Sequence, residues 1–256
     1  TGNKWEFRMP GSQQNLSDCN MVLNTAVAKS LKDFADALEA VPRERFDQEA
    51  IAYVKRSLAK HRRIIFGGNG YSAEWEEEAA RRGLANHRTT AEALPCFVDP
   101  KSIELFCQMG VMSETEVRSR YEVKLEKYNK LMNIETRVMK RMAYRDYLPA
   151  ISEYAADVAD RITSIKTALP AADVTHLEES LNIILKGMKE ASEALTALND
   201  LHDEAEAIAD EQERANFYAA RIIPAMDALR APIDRLENFV DCQYWPVPTY
   251  NDILFY

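Results

Sequence analysis

Near its amino end the chain reads "NKWEFRMPG". In an extended strand Glu6 and Arg8 share one face and Trp5, Phe7 and Met9 the other, because side chains alternate with period two. The carboxylate and the guanidinium then stand about 7 Å apart. Such a pair is either a solvated strand edge or half of an active site, and the four residues "WEFR" alone read as a structural strand with a polar face.

Three other places hold residue types that could do chemistry. "FGGNGYS" puts glycines before the Ser72 cap of a helix, but it lacks the Lys-Ser/Thr of a P-loop and the full GxGxxG, so it reads as a turn. His202 has Asp203 and Glu206 nearby, a possible metal set. It also follows Leu198 at the next position of an apolar stripe, which makes it a boundary or partly buried histidine. "KHRRII", Lys60 to Ile65, is the one short basic run and reads as a solvated helix end.

The chain has 256 residues, 46% hydrophobic and 29% charged, enough for one large domain or two smaller ones. A formal charge of -9 argues against a general nucleic-acid binder, since backbone affinity needs clustered cations. Cys19, Cys96, Cys107 and Cys242 form no CxxC pair, which suits buried thiols in a reducing cytoplasm and not a zinc site. No apolar run is long enough to span a membrane, and no signal-peptide pattern exists. The chain begins without Met, directly on the apparent strand, and is therefore expected to be a carboxyl-terminal piece of a longer polypeptide.

After the strand, the sequence is helical. Val22, Val27, Leu31, Phe34 and Leu38 recur near helical period, with Pro42 closing that helix. A second is expected from about Gln48 to Lys60 with Asp47 as N-cap, and a third after Ser72, ending at Arg81-Arg82-Gly83. "TTAE" at Thr89 and "SETE" at Ser113 are capping boxes, and "DPKS" is an Asp99 cap with Pro100 in the first turn. The Ser113 box opens the longest tract, expected to run to Pro149 along Val117, Tyr121, Leu125, Tyr128, Met132 and Met139.

Three further stripes follow: Ile151 to Leu169, Leu177 to Leu198, and Ile222 to Val240 with Pro224 and Pro232 as breaks or kinks. Their heptad-like spacing predicts an antiparallel bundle or helical hairpins. The acidic run "DLHDEAEAIADEQER" reads as a solvated face. "YWPVPTYNDILFY" reads as an extended tail that packs back on the body, since Pro246 and Pro248 forbid a helix through them.

The segments "TGNKWEFRMPGS" and "NMVLNTAVAKSL" resemble the last part of the catalytic domain of glutamine synthetases, in which a Glu-x-Arg strand precedes a loop and an apolar helix. With "NGYSAEW", "RRGLANHRTTAEALP", "SRYEVKLEKYNK" and "YWPVPTYNDILF", the pattern is similar to the long type III enzymes over essentially all 256 residues. The resemblance implies an α+β, predominantly α fold. Residues 1–112 would be the C-terminal part of the catalytic domain, including its last strand, residues 113–242 a helical bundle, and residues 243–256 the extended tail.

It also implies a cytoplasmic ATP-dependent ligase that joins ammonia to L-glutamate through a γ-glutamyl phosphate, using Mg2+ or Mn2+. By position in the motif, Glu6 matches the family's metal-ligand glutamate and Arg8 its substrate-binding arginine. The implied partners are glutamate, ammonia, ATP and further copies of the chain in a ring oligomer, a dodecamer; no nucleic acid and no membrane are expected.

Most of the family's metal ligands, its histidine and its nucleotide-binding arginines lie on the amino-terminal side of this motif and are not in the chain. The 256 residues alone are therefore expected to be inactive. A related γ-glutamyl–amine ligase and a non-catalytic helical oligomerisation module are the alternatives. The bundle itself would either make oligomer contacts or cover the back of the catalytic domain.

Overall fold

The computed structural model describes residues 15–248 and 250–255, with the side chains of residues 250 and 251 left aside. The expected strand with Glu6 and Arg8 lies outside these residues. Among the described residues there are helices and turns and no strand. The chain forms two compact units, residues 1–122 and 123–256.

In the first unit, α1 spans Leu16–Leu38 and is capped by Asn15, whose Oδ1 accepts the Ser17 N–H at 2.8 Å. Pro42 opens a 3-10 turn, Arg43–Arg45, that leads straight into α2, Phe46–Lys60. Asp47 is therefore not the N-cap. It sits in the first turn of a helix already started by the 3-10 turn, where its charge favours the positive end of the helix dipole.

α3 is Ala73–Arg81, α4 Thr90–Ala93 and α5 Pro100–Gln108. The caps fall where the sequence put them: Ser72 on Trp75 N, the Thr89/Glu92 box, and Asp99 on Lys101 N with Pro100 following. Gly83 and Gly110 stop α3 and α5 at φ +69° and +65°. At each, the next residue's N–H reaches back five residues, Leu84 to Ala79 O and Val111 to Phe106 O, which closes a Schellman motif that a side chain with Cβ would strain.

α1 packs on α2 and α5, with Phe34 edge-on to Tyr53 at 5.0 Å. Phe106, Met112 and Val117 are buried together with Met21, Phe97 and Ile103 against them. Burying a side chain such as Phe106 stabilises by about 1.5–3 kcal/mol.

The Ser113 box opens α6, Glu114–Met142, and the boundary between the units falls inside this helix. The tract does not end at Pro149. A five-residue π turn, Ala143–Tyr147, is closed by the Leu148 N–H on Ala143 O, and the chain continues into α7, Leu148–Ala168. Pro149 has no N–H to give, and the wider turn re-pairs the backbone around it.

The same device recurs. α8, Thr175–Ala207, and α9, Glu211–Phe217, are followed by a π turn at Tyr218–Ile222, and Pro224 is the second residue of α10, Ile223–Leu236. Pro232 is accommodated inside α10.

α8 is the centre of the second unit and packs on both α7 and α10. Its row Ile184, Ala191, Leu195 and Leu198 meets Ile151 and Ala155 of α7 and Leu229, Ile233 and Leu236 of α10 in one core. The α7 stripe faces this core only in part, since Ile165 and Leu169, near its end, are exposed. Past α10, Trp245 is buried with its ring 5.2 Å from Tyr147, and Tyr244 meets Tyr154 at 5.3 Å. After Pro248 the tail forms one short helix, α11, Tyr250–Leu254, so it is not extended throughout.

Candidate functional site

Glu6 and Arg8 lie outside the described residues, and nothing of their geometry is stated. Among the described residues the side chains that could do chemistry gather in the second unit, where α6 faces the end of α8 and α9. α6 presents Asn129, Asn133, Thr136 and Lys140 at spacings of four, three and four, so all four lie on one stripe of the helix. Among the described residues of this unit, Asn129, Thr136 and His202 are the buried polar side chains.

His202 lies on α8 with both ring nitrogens engaged. Nδ1 is 3.1 Å from Lys140 Nζ, and Nε2 is 3.0 Å from Asn133 Oδ1. A lysine ammonium only donates and an amide oxygen only accepts, so the ring is neutral with its proton on Nε2. Burial is the main cause that holds its pKa below the usual imidazole value. Lys140 and Arg137 act in the same direction, against the carboxylates of Glu206 and Asp203.

His202, Asp203 and Glu206 are the one set among the described residues that could surround a metal ion. The arrangement does not fit a metal. Both imidazole nitrogens are already bonded, an ammonium stands beside the ring, and Glu206 is ion-paired with Arg137.

Asn129 ties α9 to the same stripe. Its Nδ2 donates to Glu211 O at 2.9 Å and to Glu211 Oε2 at 2.6 Å, and its Oδ1 is buried without a partner among the described residues. Arg214 donates to Ile208 O at 2.9 and 2.6 Å and to Glu211 Oε1 at 2.9 Å. The acidic run is thus only partly a free solvated face: Asp203 and Glu204 are exposed, whereas the half-exposed Glu211 is bonded to Asn129 and Arg214. A polar hollow of about 360 Å³ opens here between Asn129, Glu206, Glu211 and Tyr218.

A larger apolar cleft, about 590 Å³, lies between α6, α10 and the tail, with Met139, Met142, Met226 and Ile233 on its walls. No sequence signal singles it out, because its residues come from three segments far apart in the chain.

In the first unit the glycine turn is organised by Arg82. Its Nε donates to Glu78 Oε1 at 2.6 Å and its NH1 to Ile65 O at 2.9 Å, and its guanidinium lies 5.5 Å from the Trp75 ring. Trp75 stacks on Phe66 with centroids 4.1 Å apart. The basic run beside it is exposed, as a helix end should be. Of the cysteines, Cys96, Cys107 and Cys242 are exposed and only Cys19 is partly covered, so the expectation of buried thiols fails; all four are free. No helix among the described residues is long and apolar enough to cross a membrane.

Residues 49–166 match the family model of the glutamine synthetase C-terminal domain. The whole chain aligns with the type-3 glutamine synthetase of Dictyostelium discoideum at 34% identity, covering 35% of that protein. It aligns likewise with the glutamine synthetases of Butyrivibrio fibrisolvens and Bacteroides fragilis, at 31% and 30% identity and 36% of each. The chain therefore spans about a third of the length of the curated relatives it matches. By these matches the chain carries the glutamine synthetase C-terminal domain over residues 49–166 and is similar along its whole length to a part of glutamine synthetases.

Proposed function

We propose that the chain is the carboxyl-terminal part of a cytoplasmic glutamine synthetase that makes glutamine from glutamate, ammonia and ATP. The observation that carries this reading is the alignment of all 256 residues with glutamine synthetases from three organisms. In that reaction a γ-carboxylate oxygen of glutamate attacks the terminal phosphorus of ATP and releases ADP. Ammonia then attacks the acyl carbon of the γ-glutamyl phosphate, and inorganic phosphate leaves.

Both partners of the first step are anionic, so positive charge has to offset the developing negative charge. A divalent ion, Mg2+ or Mn2+, supplies that charge when bound. Glu6 is the residue of this chain proposed to ligate it. Arg8, two residues further along the chain, is proposed to hold a substrate carboxylate or phosphoryl group through its planar fork of donors. The bundle of the second unit supports an assembly, for which a dodecameric ring is the proposed form.

The test is glutamate- and ammonia-dependent ADP release. The 256 residues alone should show none. In the polypeptide that also contains the upstream catalytic segment, Glu6→Ala and Arg8→Ala should each abolish turnover while the assembly stays intact. Near-normal turnover in both variants would overturn the site assignment, and turnover by the isolated chain would overturn the division of the site.

A further inference from the structure

We propose that the polar hollow of the second unit is a binding site for a small neutral molecule that ends in a primary carboxamide. The inference is independent of the catalytic reading, because it rests on described residues and no reactant of the proposed synthesis enters its test.

The hollow opens between α6, the end of α8, α9 and the π turn that follows α9. Asn129, in its wall, is only 4% exposed. The amide is oriented by Glu211, whose carbonyl and carboxylate take its Nδ2 protons at 2.9 and 2.6 Å. That leaves Oδ1 as a buried acceptor without a partner among the described residues. A buried acceptor left unmet is costly, so the hollow favours a group that donates to it.

Two other uncharged groups in the wall have hydrogen-bonding capacity to spare. Asn133, one turn further along α6, accepts the His202 Nε2 proton on its Oδ1, which leaves the N–H groups of its Nδ2 unbonded among the described residues. Tyr218 is 1% exposed, and its hydroxyl makes no hydrogen bond among the described residues. Burial keeps that hydroxyl protonated to higher pH than usual, and the charges acting on it most are those of Arg214 and Glu206, which also line the hollow.

Charge selects the head group. The ionised side chains of the wall are already paired, Glu206 with Arg137, Glu211 with Arg214 and Glu126 with Lys130. An ammonium or a carboxylate would bring in a charge that no free partner offsets. One unmet acceptor beside surplus donors is instead the complement of a carboxamide. Its N–H donates to Asn129 Oδ1, and its oxygen accepts from Asn133 Nδ2 or the Tyr218 hydroxyl. The hollow, about 360 Å³, has room for such a group on a short chain.

Propanamide, propanoate and propylammonium have nearly the same shape and differ in the charge of the head group. Titrated into the isotope-labelled chain and followed by NMR, propanamide should shift the Asn129 and Asn133 side-chain amide signals with a Kd of about 1–10 mM, as suits a fragment of its size. Either ion should bind about tenfold more weakly or not at all.

Tyr218→Phe deletes only the hydroxyl and should weaken propanamide binding about threefold to tenfold. Asn133→Asp keeps the oxygen that His202 uses, removes the donor and adds a charge, so propylammonium should now bind ahead of propanamide. Circular dichroism verifies folding, and Tyr218→Phe decides the matter if Asn133→Asp does not fold. In the polypeptide that also contains the upstream catalytic segment, propanamide should slow amide exchange over residues 208–217. The proposal is overturned by no shift at about 100 mM propanamide, roughly ten times the weakest expected Kd, as when water alone fills the hollow. It is also overturned by an ion that binds as tightly as propanamide, by full affinity in Tyr218→Phe, by unchanged preference in folded Asn133→Asp, or by no slowing in the longer polypeptide.

Discussion

Gly187 of α8 lies against Leu236 of α10 so closely that a Cβ on the glycine would stand 2.9 Å from Leu236 Cγ and Cδ2. The missing side chain is what lets the two helices approach around a buried leucine. Gly187→Ala gains about 1 kcal/mol of helix propensity but forces Leu236 or the backbone to shift, at about 1–3 kcal/mol. The expected net effect is a lower urea midpoint. Leu236→Ala alone should cost about 2–5 kcal/mol, and in the double variant the two losses should fall short of their sum, because each relieves the other's clash or cavity. Additive losses in the urea titrations would show that the contact is not tight.

Arg82 is expected to hold the loop between α2 and α3. It joins the carbonyls of Arg63 and Ile65 to the Glu78 carboxylate while lying over Trp75 and Phe66. Arg82→Lys keeps the charge but loses the planar fork, so it should behave like Arg82→Ala. Both should raise protease cleavage and amide exchange over residues 65–72 several-fold and change the Trp75 emission. Wild-type protection in the lysine variant would mean that charge alone suffices.

The His202 ring gives the second unit a pH dependence of defined sign. Its folded pKa is lowered, chiefly by burial and then by Lys140, so the unfolded chain binds the proton more readily. The contribution is therefore fully present above the unfolded value of about 6.5, and it is lost as the pH falls from there toward the folded value. Urea midpoints measured from pH 8 to pH 5 should decline over this window in the wild type and decline less in His202→Gln. Equal slopes for the two proteins would assign the decline to other groups.

Asn129 is expected to anchor α9. Asn129→Ala strands the Glu211 carbonyl, at a cost of about 1–3 kcal/mol. Asn129→Asp should be worse, since it sets a carboxylate against both the Glu211 carbonyl and its carboxylate. Hydrogen exchange over residues 208–217 should rise in that order, and a reversed order would place the bond elsewhere.

Local interactions made much of the first unit and of the helix rows readable from the residues alone. The Thr89 and Ser113 boxes, the Asp99 cap and the Gly83 stop each involve residues within a few positions of one another, so sequence suffices to set their geometry. The periodicity of Leu177 to Leu198 and of Ile222 to Val240 likewise named the faces that α8 and α10 bury. Asp47 was misplaced because the 3-10 turn before α2 supplies the start that a side-chain cap would have given. Pro149 marked a break that the π turn absorbs, and the helix that follows is packed on α8.

The sequence by itself determined most helix caps and glycine stops, which faces are apolar, and the family it resembles. Only the tertiary structure decided that His202 is a neutral, doubly bonded ring and not a ligand, that Gly187 accommodates Leu236, and that three distant segments enclose a methionine-lined cleft. The division follows from range. Caps and stripes depend on dihedrals and neighbours within a turn or two. Burial, and the hydrogen bonds and pKa shifts that burial imposes, depend on side chains that meet only after the helices have packed.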